Sequence, residues 1–410
     1  MFFPPVYALN ESFRVNTALF GASVKHLCSS PAFQLFPHAA IFAAWGKLTE
    51  RTFNRMAATP EWGIDKTVSA GREYTVEVRP VFSKTFCRLI HFDVDGKSPQ
   101  DPKILLVAPM SGHYATLLRR TVTSLLPDCE LFVTEWRNAR DIPVTSGDFD
   151  IEDFTRYIAE FIRFLGPDTH VIAVCQPVPL SLAAVAHLAD AAPESQPRTL
   201  TLIGGPAVPD AAPTSVTDFG NRVAMGHLEQ FTIQPVGRGH AGAGRKVYPG
   251  MLQLGFFLSM NPPRHLHAFL EQISRAIKNM DAEDDRHNRF YDEYLAVMDM
   301  TAEFYLSTVR RLFKDGEIAH NKFTLGGRPV DLEKISHTAV LTVEGGKDDI
   351  SAPGQCSGAL ELLSGLPDSK KASHIEPDAG HYGIFSGQVW QRSIRPLILS
   401  FIAANTGSAH

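Results

Sequence analysis

One stretch limits what this chain can fold into: Thr169–Ala192, THVIAVCQPVPLSLAAVAHLADAA. Val171–Val174 is a short apolar run rich in β-branched residues. It reads as a strand buried on both faces, as in a parallel sheet. Cys175 follows at once, then Pro177 and Pro179, then an almost wholly apolar helical run from Leu180 to Leu188. Proline is tolerated in a first helical turn because the early N–H groups have no partner inside the helix. Cys175 is therefore expected on a sharp bend between a strand and a helix N-terminus, whose dipole favours negative charge. A free cysteine is more often a small buried apolar residue. What sets this one apart must come from the rest of the chain.

The flanking sequence repeats the same alternation. Glu73–Val81 and Phe86–Val94 alternate apolar and polar residues, as antiparallel strands do. Lys103–Pro109 is a buried strand that runs into Met110-Ser111-Gly112-His113, with a helix expected from Tyr114 to Leu126. Glu130–Trp136 is the next strand. Residues 149–166 place Ile151, Phe154, Ile158, Phe161, Ile162 and Leu165 at helical spacing and stop at Gly166-Pro167. Arg198–Ile203 is a further strand. The rhythm returns at His337–Glu344, a helix near Cys356–Ser364, Ala372–Glu376 and a last helix over about Val389–Ala404. Strand and helix in turn predict an α/β fold, a mostly parallel sheet with helices on both faces.

Between about Ala207 and Asp331 the rhythm stops. Aromatic, Met and Pro residues crowd VYPGMLQLGFFLSMNPP and RFYDEYLAVMDMTAEFYLSTVRRLF. This part is expected to be a helical cap, 207–331, inserted into a core made of 66–206 and 332–410. Residues 1–65 are expected to be a helical segment packed on that core. Its helices are Val6–Lys25 and Phe33–Met56, broken at Ser29-Ser30-Pro31, with Ile41, Trp45, Leu48 and Phe53 on one side. That side suits packing, or contact with a hydrophobic surface.

Composition narrows the function. The 410 residues carry a net charge of −5, which gives no sign of nucleic-acid binding. The five cysteines are scattered without a C-x-x-C pair, so neither a metal site nor a disulfide framework is expected. The opening MFFPPVYALNESFRV lacks the basic and apolar regions of a signal peptide. No window approaches a membrane span. The simplest expectation is a cytoplasmic protein with reduced thiols.

Two late turns complete a constellation. HTAVLTVEGGKDDIS delivers Asp348 and Asp349 past a strand, and SHIEPDAGHYGIFSG delivers His381. The order Cys175, Asp348, His381 is the nucleophile, acid and base order of the α/β-hydrolase fold. The spacing from Gly345 favours Asp348, with Asp349 one residue away as the alternative. An oxyanion hole would use the N–H of Gln176, because Pro177 has none, and one N–H of the Met110–Gly112 turn, from Met110 or Ser111. His113 could polarise substrate or make a structural hydrogen bond. Asp378 is expected to shape the His381 loop.

The segments GPDTHVIAVCQPVPLSLAAVA, GRKVYPGMLQLGFFLSMN, VEGGKDDISAPGQC and DAGHYGIFSG together resemble the intracellular polyhydroxybutyrate depolymerases. EWRNARDIPVTSGDFDIEDF and PEWGI are similar to the same family, and the resemblance runs from about Pro60 onward. It implies a Cys-nucleophile hydrolase of stored polyester granules, with Cys175, Asp348 and His381 at the triad positions. It implies 3-hydroxybutyrate or its oligomers as product and no resident cofactor, with coenzyme A as a conceivable acyl acceptor. A granule-associated location and a homo-oligomer are compatible with it. An apolar patch on the N-terminal helices or the cap, including Phe256 and Phe257, is a candidate for docking on the granule. Two rivals stand beside it. One is a polyester synthase-like Cys acyltransferase, whose Gly-x-Cys-x-Gly is here interrupted by Ala173 and Pro177. The other is a non-catalytic granule-surface protein.

Overall fold

A computed structural model describes residues 6–36, 38–96, 101–260, 262–278 and 286–406. The first five residues of the opening segment and Asn279–Met280 of the expected cap helix lie outside these.

Nine strands form one sheet: β1 (Lys66–Ser69), β2 (Arg72–Ser83), β3 (Cys87–Val94), β4 (Lys103–Val107), β5 (Glu130–Trp136), β6 (Thr169–Val174), β7 (Thr199–Ile203), β8 (Ala339–Gly345) and β9 (Lys371–Glu376). Their order is β1-β2-β3-β5-β4-β6-β7-β8-β9. The first three pair antiparallel, and β5 onward run parallel. Antiparallel hairpins at one edge, then the 5-4-6 crossing, make this the α/β-hydrolase sheet. The chain leaves β4 to one side for β5, then jumps over it to β6. Ligands bind at such a switch point, outside the carboxyl ends of the strands, and here those ends belong to β4 and β6.

The parallel strands are continuous apolar runs because helices cover both faces. Leu105, Val171, Ala173 and Leu200 face one apolar layer, with helices α4 (Ile151–Leu165) and α5 (Pro177–Ala191). Ile104, Leu106, Ile172 and Val174 face the other. There they meet α3 (Arg119–Leu125) and the last helix, Arg395–Asn405. Asp150 starts α4 with a capping box, accepting from Glu152 and Asp153 N–H while Asp153 returns the bond. Phe154 stacks on Trp136 at 4.1 Å between centroids. A fully buried aromatic of this kind contributes roughly 1.5–3 kcal/mol through burial alone.

The insertion is only partly the helical cap that its composition predicts. It holds helices at Ser215–Arg222, Met225–Thr232, Gly250–Met260, Pro262–Ile277 and Arg286–Tyr294. It also holds a small antiparallel sheet of Gln234–Pro235, Lys246–Tyr248 and Met300–Thr301. From Met300 onward the segment rejoins the main core. Phe304, Leu312, Phe323 and Val330 lie in the same apolar layer as α4 and α5. Their aromatic density reflects burial in the core rather than a covering role.

The N-terminal helices are α1 (Val6–Cys28) and α2 (Ala39–Arg55). The second starts six residues later than its periodicity suggests, because 29–36 form turns. They cross where Gly21 meets Gly46: a Cβ on Gly21 would lie 2.9 Å from the Gly46 carbonyl oxygen. The pair is fastened to the insertion rather than simply laid on the sheet's helices. Tyr7 donates to Asp299 Oδ2 at 2.6 Å, and Arg55 binds Asp292 and Asn288 Oδ1. The core is reached by the segment after α2, where Trp62 and Ile64 join the second apolar layer.

Candidate active site

Cys175 stands at the bend between β6 and α5. Its φ is +65°, one of three positive values among non-glycine residues described. Such a conformation costs a side-chain-bearing residue on the order of 1–3 kcal/mol and persists only where surroundings over-determine it. Those surroundings are visible. Cys175 N donates to Ile203 O at 2.8 Å, and Val178 N donates to Cys175 O at 3.0 Å. The chain leaving β7 passes so close that a Cβ on Gly205 would lie 2.2 Å from Cys175 O. Pro177 fills the first position of α5, so both prolines fall in its opening turn. The helix begins three residues before the expected Leu180.

His381 and Asp348 converge on this bend from the ends of β9 and β8. Asp348 Oδ2 accepts from His381 Nδ1 at 2.8 Å, with both side chains buried. Oδ1 of the same carboxylate accepts the N–H groups of Ile350 and Ser351, each at 2.9 Å. Two backbone bonds on one oxygen leave the other aimed at the imidazole. Asp349 is exposed. Burial by itself opposes a charged His381. The facing Cys175 sulfur, and then the Asp348 carboxylate, override it and hold the imidazole well above its usual range. Gly204 lies beneath this pair at φ +53°. A Cβ there would fall 2.4 Å from Ile384 and 3.6 Å from His381 Cε1. By contrast, the Cys356 thiol is fully buried, and burial pushes it up to about 12.

The turn after β4 is more committed than its sequence suggests. Met110 N donates to Gln176 Oε1 at 3.2 Å, so its N–H is already spent on a side chain. As an oxyanion donor Met110 is therefore corrected: in this arrangement it binds Gln176 instead. Gln176 directly follows Cys175 in the chain. Ser111 offers its carbonyl to the Gln253 amide from the insertion, and Gly112 O accepts from Met298 N at 2.8 Å. His113 is buried, with Nε2 at 3.0 Å from Tyr294 O. Burial pushes its imidazole down to about 4, against the pull of the Tyr294 and Ser111 carbonyls. The bond to the Tyr294 carbonyl matches the structural of the two roles expected for His113. Asp378 forms an exposed ion pair with Lys347 at 2.6 Å, linking the loops that carry Asp348 and His381.

Three contributors escape sequence reading. Glu344, fully buried on β8, accepts from Gly354, Cys356 and Ser357 N–H through one oxygen, at 2.8–3.0 Å. It folds the chain beyond Asp348 back against the sheet. A carboxylate inside the apolar run HTAVLTVE is the signal that could have found it. Arg245 spreads its guanidinium over the Ile142, Pro143 and Gly147 carbonyls, joining the insertion to the loop after β5. Tyr382 meets Tyr294 and Phe290 at centroid distances of 6.1 and 6.3 Å. Together they set an aromatic wall from the insertion beside His381. Phe257 belongs to this wall, packed 5.4 Å from His113, and Phe256 packs against Phe219. Both are half-buried. A cleft of about 1110 Å³ between residues 59–65 and the antiparallel strands has no lining residue from the Cys175 bend or the Asp348 and His381 loops.

Residues 204–406 match the protein family described as PHB de-polymerase C-terminus. No curated protein sequence matches the chain. Among solved structures, a putative lipase from Acinetobacter baumannii is similar at 12% identity and TM-score 0.43, over 80% of this chain and 93% of that one. A thermophilic esterase from Thermogutta terrifontis is similar at 15% identity and TM-score 0.42, over 84% and 98%. A monoacylglycerol lipase from Paleococcus ferrophilus is similar at 15% identity and TM-score 0.43, over 75% and 96%. Likenesses this distant bear on neither chemistry nor substrate.

Proposed function

Because residues 204–406 match the family described as PHB de-polymerase C-terminus, we propose that the chain hydrolyses the ester bonds of stored polyhydroxybutyrate through Cys175, His381 and Asp348. The observation that carries this reading is the buried His381–Asp348 pair facing a cysteine held at φ +65°.

Cys175 Sγ attacks the ester carbonyl carbon, its proton residing on His381 Nε2. The electron pair of the C=O bond moves onto oxygen, where the Gln176 N–H receives it. Collapse expels the alcohol end of the polymer, protonated by His381, and leaves a thioester on Cys175. His381 then takes a proton from water, which attacks the thioester and releases the acid. Coenzyme A in place of water would give a hydroxyacyl thioester from the same intermediate. Asp348 holds the ring orientation and stabilises its cationic form. Tyr382, Tyr294 and Phe257 supply an apolar wall suited to a polyester strand.

Polymer is presented at a granule surface, and the outward face of α1 and α2 suits such a surface. Twelve of the twenty-one exposed large apolar side chains among the described residues fall between 6 and 42, on α1, α2 and the turns between them, including Phe13, Phe20 and Phe36. This is the N-terminal of the two docking patches expected from the sequence. Among the described residues no helix is long and apolar enough to cross a membrane.

The test is release of 3-hydroxybutyrate or its oligomers from amorphous polymer granules. The intact chain is expected to release acid, and Cys175→Ala to lose at least a thousandfold in rate. Undiminished release by Cys175→Ala overturns the reading. Polymer formation from hydroxybutyryl-coenzyme A instead would favour the synthase-like alternative.

A further inference from the structure

The Gln176 side chain has one satisfied end and one orphan. Its Oε1 accepts from Met110 N at 3.2 Å. That bond fixes which way round the amide sits, because a donor could not face the Met110 N–H. Nε2 is consequently defined in place, buried and without a hydrogen-bond partner. A buried donor left unmade is costly and calls for an explanation, of which a catalytic role is one. This donor belongs to the residue after Cys175 and is tethered to the turn after β4. Those are the two segments from which the sequence reading draws the oxyanion donors.

We infer that Gln176 Nε2 is the second oxyanion donor of this enzyme, standing in for the Met110 N–H that its own Oε1 occupies. The inference rests on the reading of Cys175 as nucleophile. During attack the Sγ–C bond forms, the carbonyl electron pair goes to oxygen, and Gln176 meets that oxygen twice, through its backbone N–H and through Nε2. The proline at 177, which offers no N–H, is compatible with a site that draws two donors from one residue. Gln176 is then a catalytic residue rather than a tie between two loops.

Two substitutions separate those roles. Gln176→Glu keeps an oxygen for the Met110 N–H and removes the donor; Gln176→Met removes both and keeps the length. Each is assayed on a soluble hydroxybutyrate ester, with rates divided by sites counted with a thiol reagent. The Ki of a trifluoromethyl ketone, which adds to the thiolate to give a bound oxyanion, is measured alongside. The expected result is a kcat lower by about 10²–10³-fold in both variants, with KM little changed. Ki should rise in parallel. Gln176→Glu decides between the two roles; should it not fold, an unchanged kcat and Ki in Gln176→Met still overturns the assignment. A kcat within about twofold of the parent, or a loss confined to KM with Ki unmoved, overturns the assignment and returns the role to the Ser111 N–H. Cys175→Ala serves as the separate control. If it retains activity the depolymerase reading itself fails, whereas an inactive Cys175→Ala beside a fully active Gln176→Glu sinks this inference alone.

Discussion

His381 holds its proton against the desolvation that surrounds it, and that has a measurable sign. The group binds its proton more tightly folded than unfolded, because Cys175 and Asp348 face it. The stability it contributes is therefore fully present below the ordinary histidine range near 6.5, and drains away as pH rises through the raised value. Cys175→Ala and Asp348→Asn each remove a negative partner, so each should move the His381 titration downward. Proton NMR of the ring, recorded against pH, reads this directly. A titration that stays put in both variants would show that neither group sets the charge of the imidazole. The three side chains of the constellation were legible in order and strand placement. The Gln176 amide was not, because no spacing rule reports where a polar side chain turns after a bend.

The sheet's buried strands are the most readable elements. Thr169–Val174, Thr199–Ile203 and Ala339–Gly345 lie within two residues of their expected bounds. Continuous apolar runs between breakers leave little choice. The short strands of the insertion, two or three residues each, have no period to detect, and Tyr248 pairs with the distant Met300. The loop after β5 shows what holds such irregular parts together. Arg245 satisfies three carbonyls there, and no apolar side chain can replace that set. Arg245→Met should destabilise by about 2–4 kcal/mol, each orphaned carbonyl weighing in. Denaturant midpoints check it. A midpoint unchanged from the parent would mean that water takes over those carbonyls without loss.

At the scale of the whole molecule, the N-terminal hairpin turns apolar residues outward while its inner side is bonded to the insertion through Tyr7, Arg51 and Arg55. The sequence announced amphipathic helices, yet periodicity cannot tell a face that packs from one that adsorbs. Exposure separates them: Leu48 is 4% exposed and Phe13 62%. Replacing Phe13, Leu19 and Phe20 by Ser should lower co-sedimentation with amorphous polymer granules about tenfold or more. Hydrolysis of a soluble ester should stay within about twofold. Equal loss of both activities would assign the hairpin to folding rather than to adsorption.

The left-handed backbone at Cys175 carries a consequence of its own. Any amino acid with a Cβ is uncomfortable there, and glycine alone is at ease. A chain with glycine at 175 would sit more restfully in the same bend while losing the sulfur that makes it chemically useful. Robustness and reactivity thus compete at a single Cα, and a screen that rewarded only thermal endurance would drift toward an inert protein at that position.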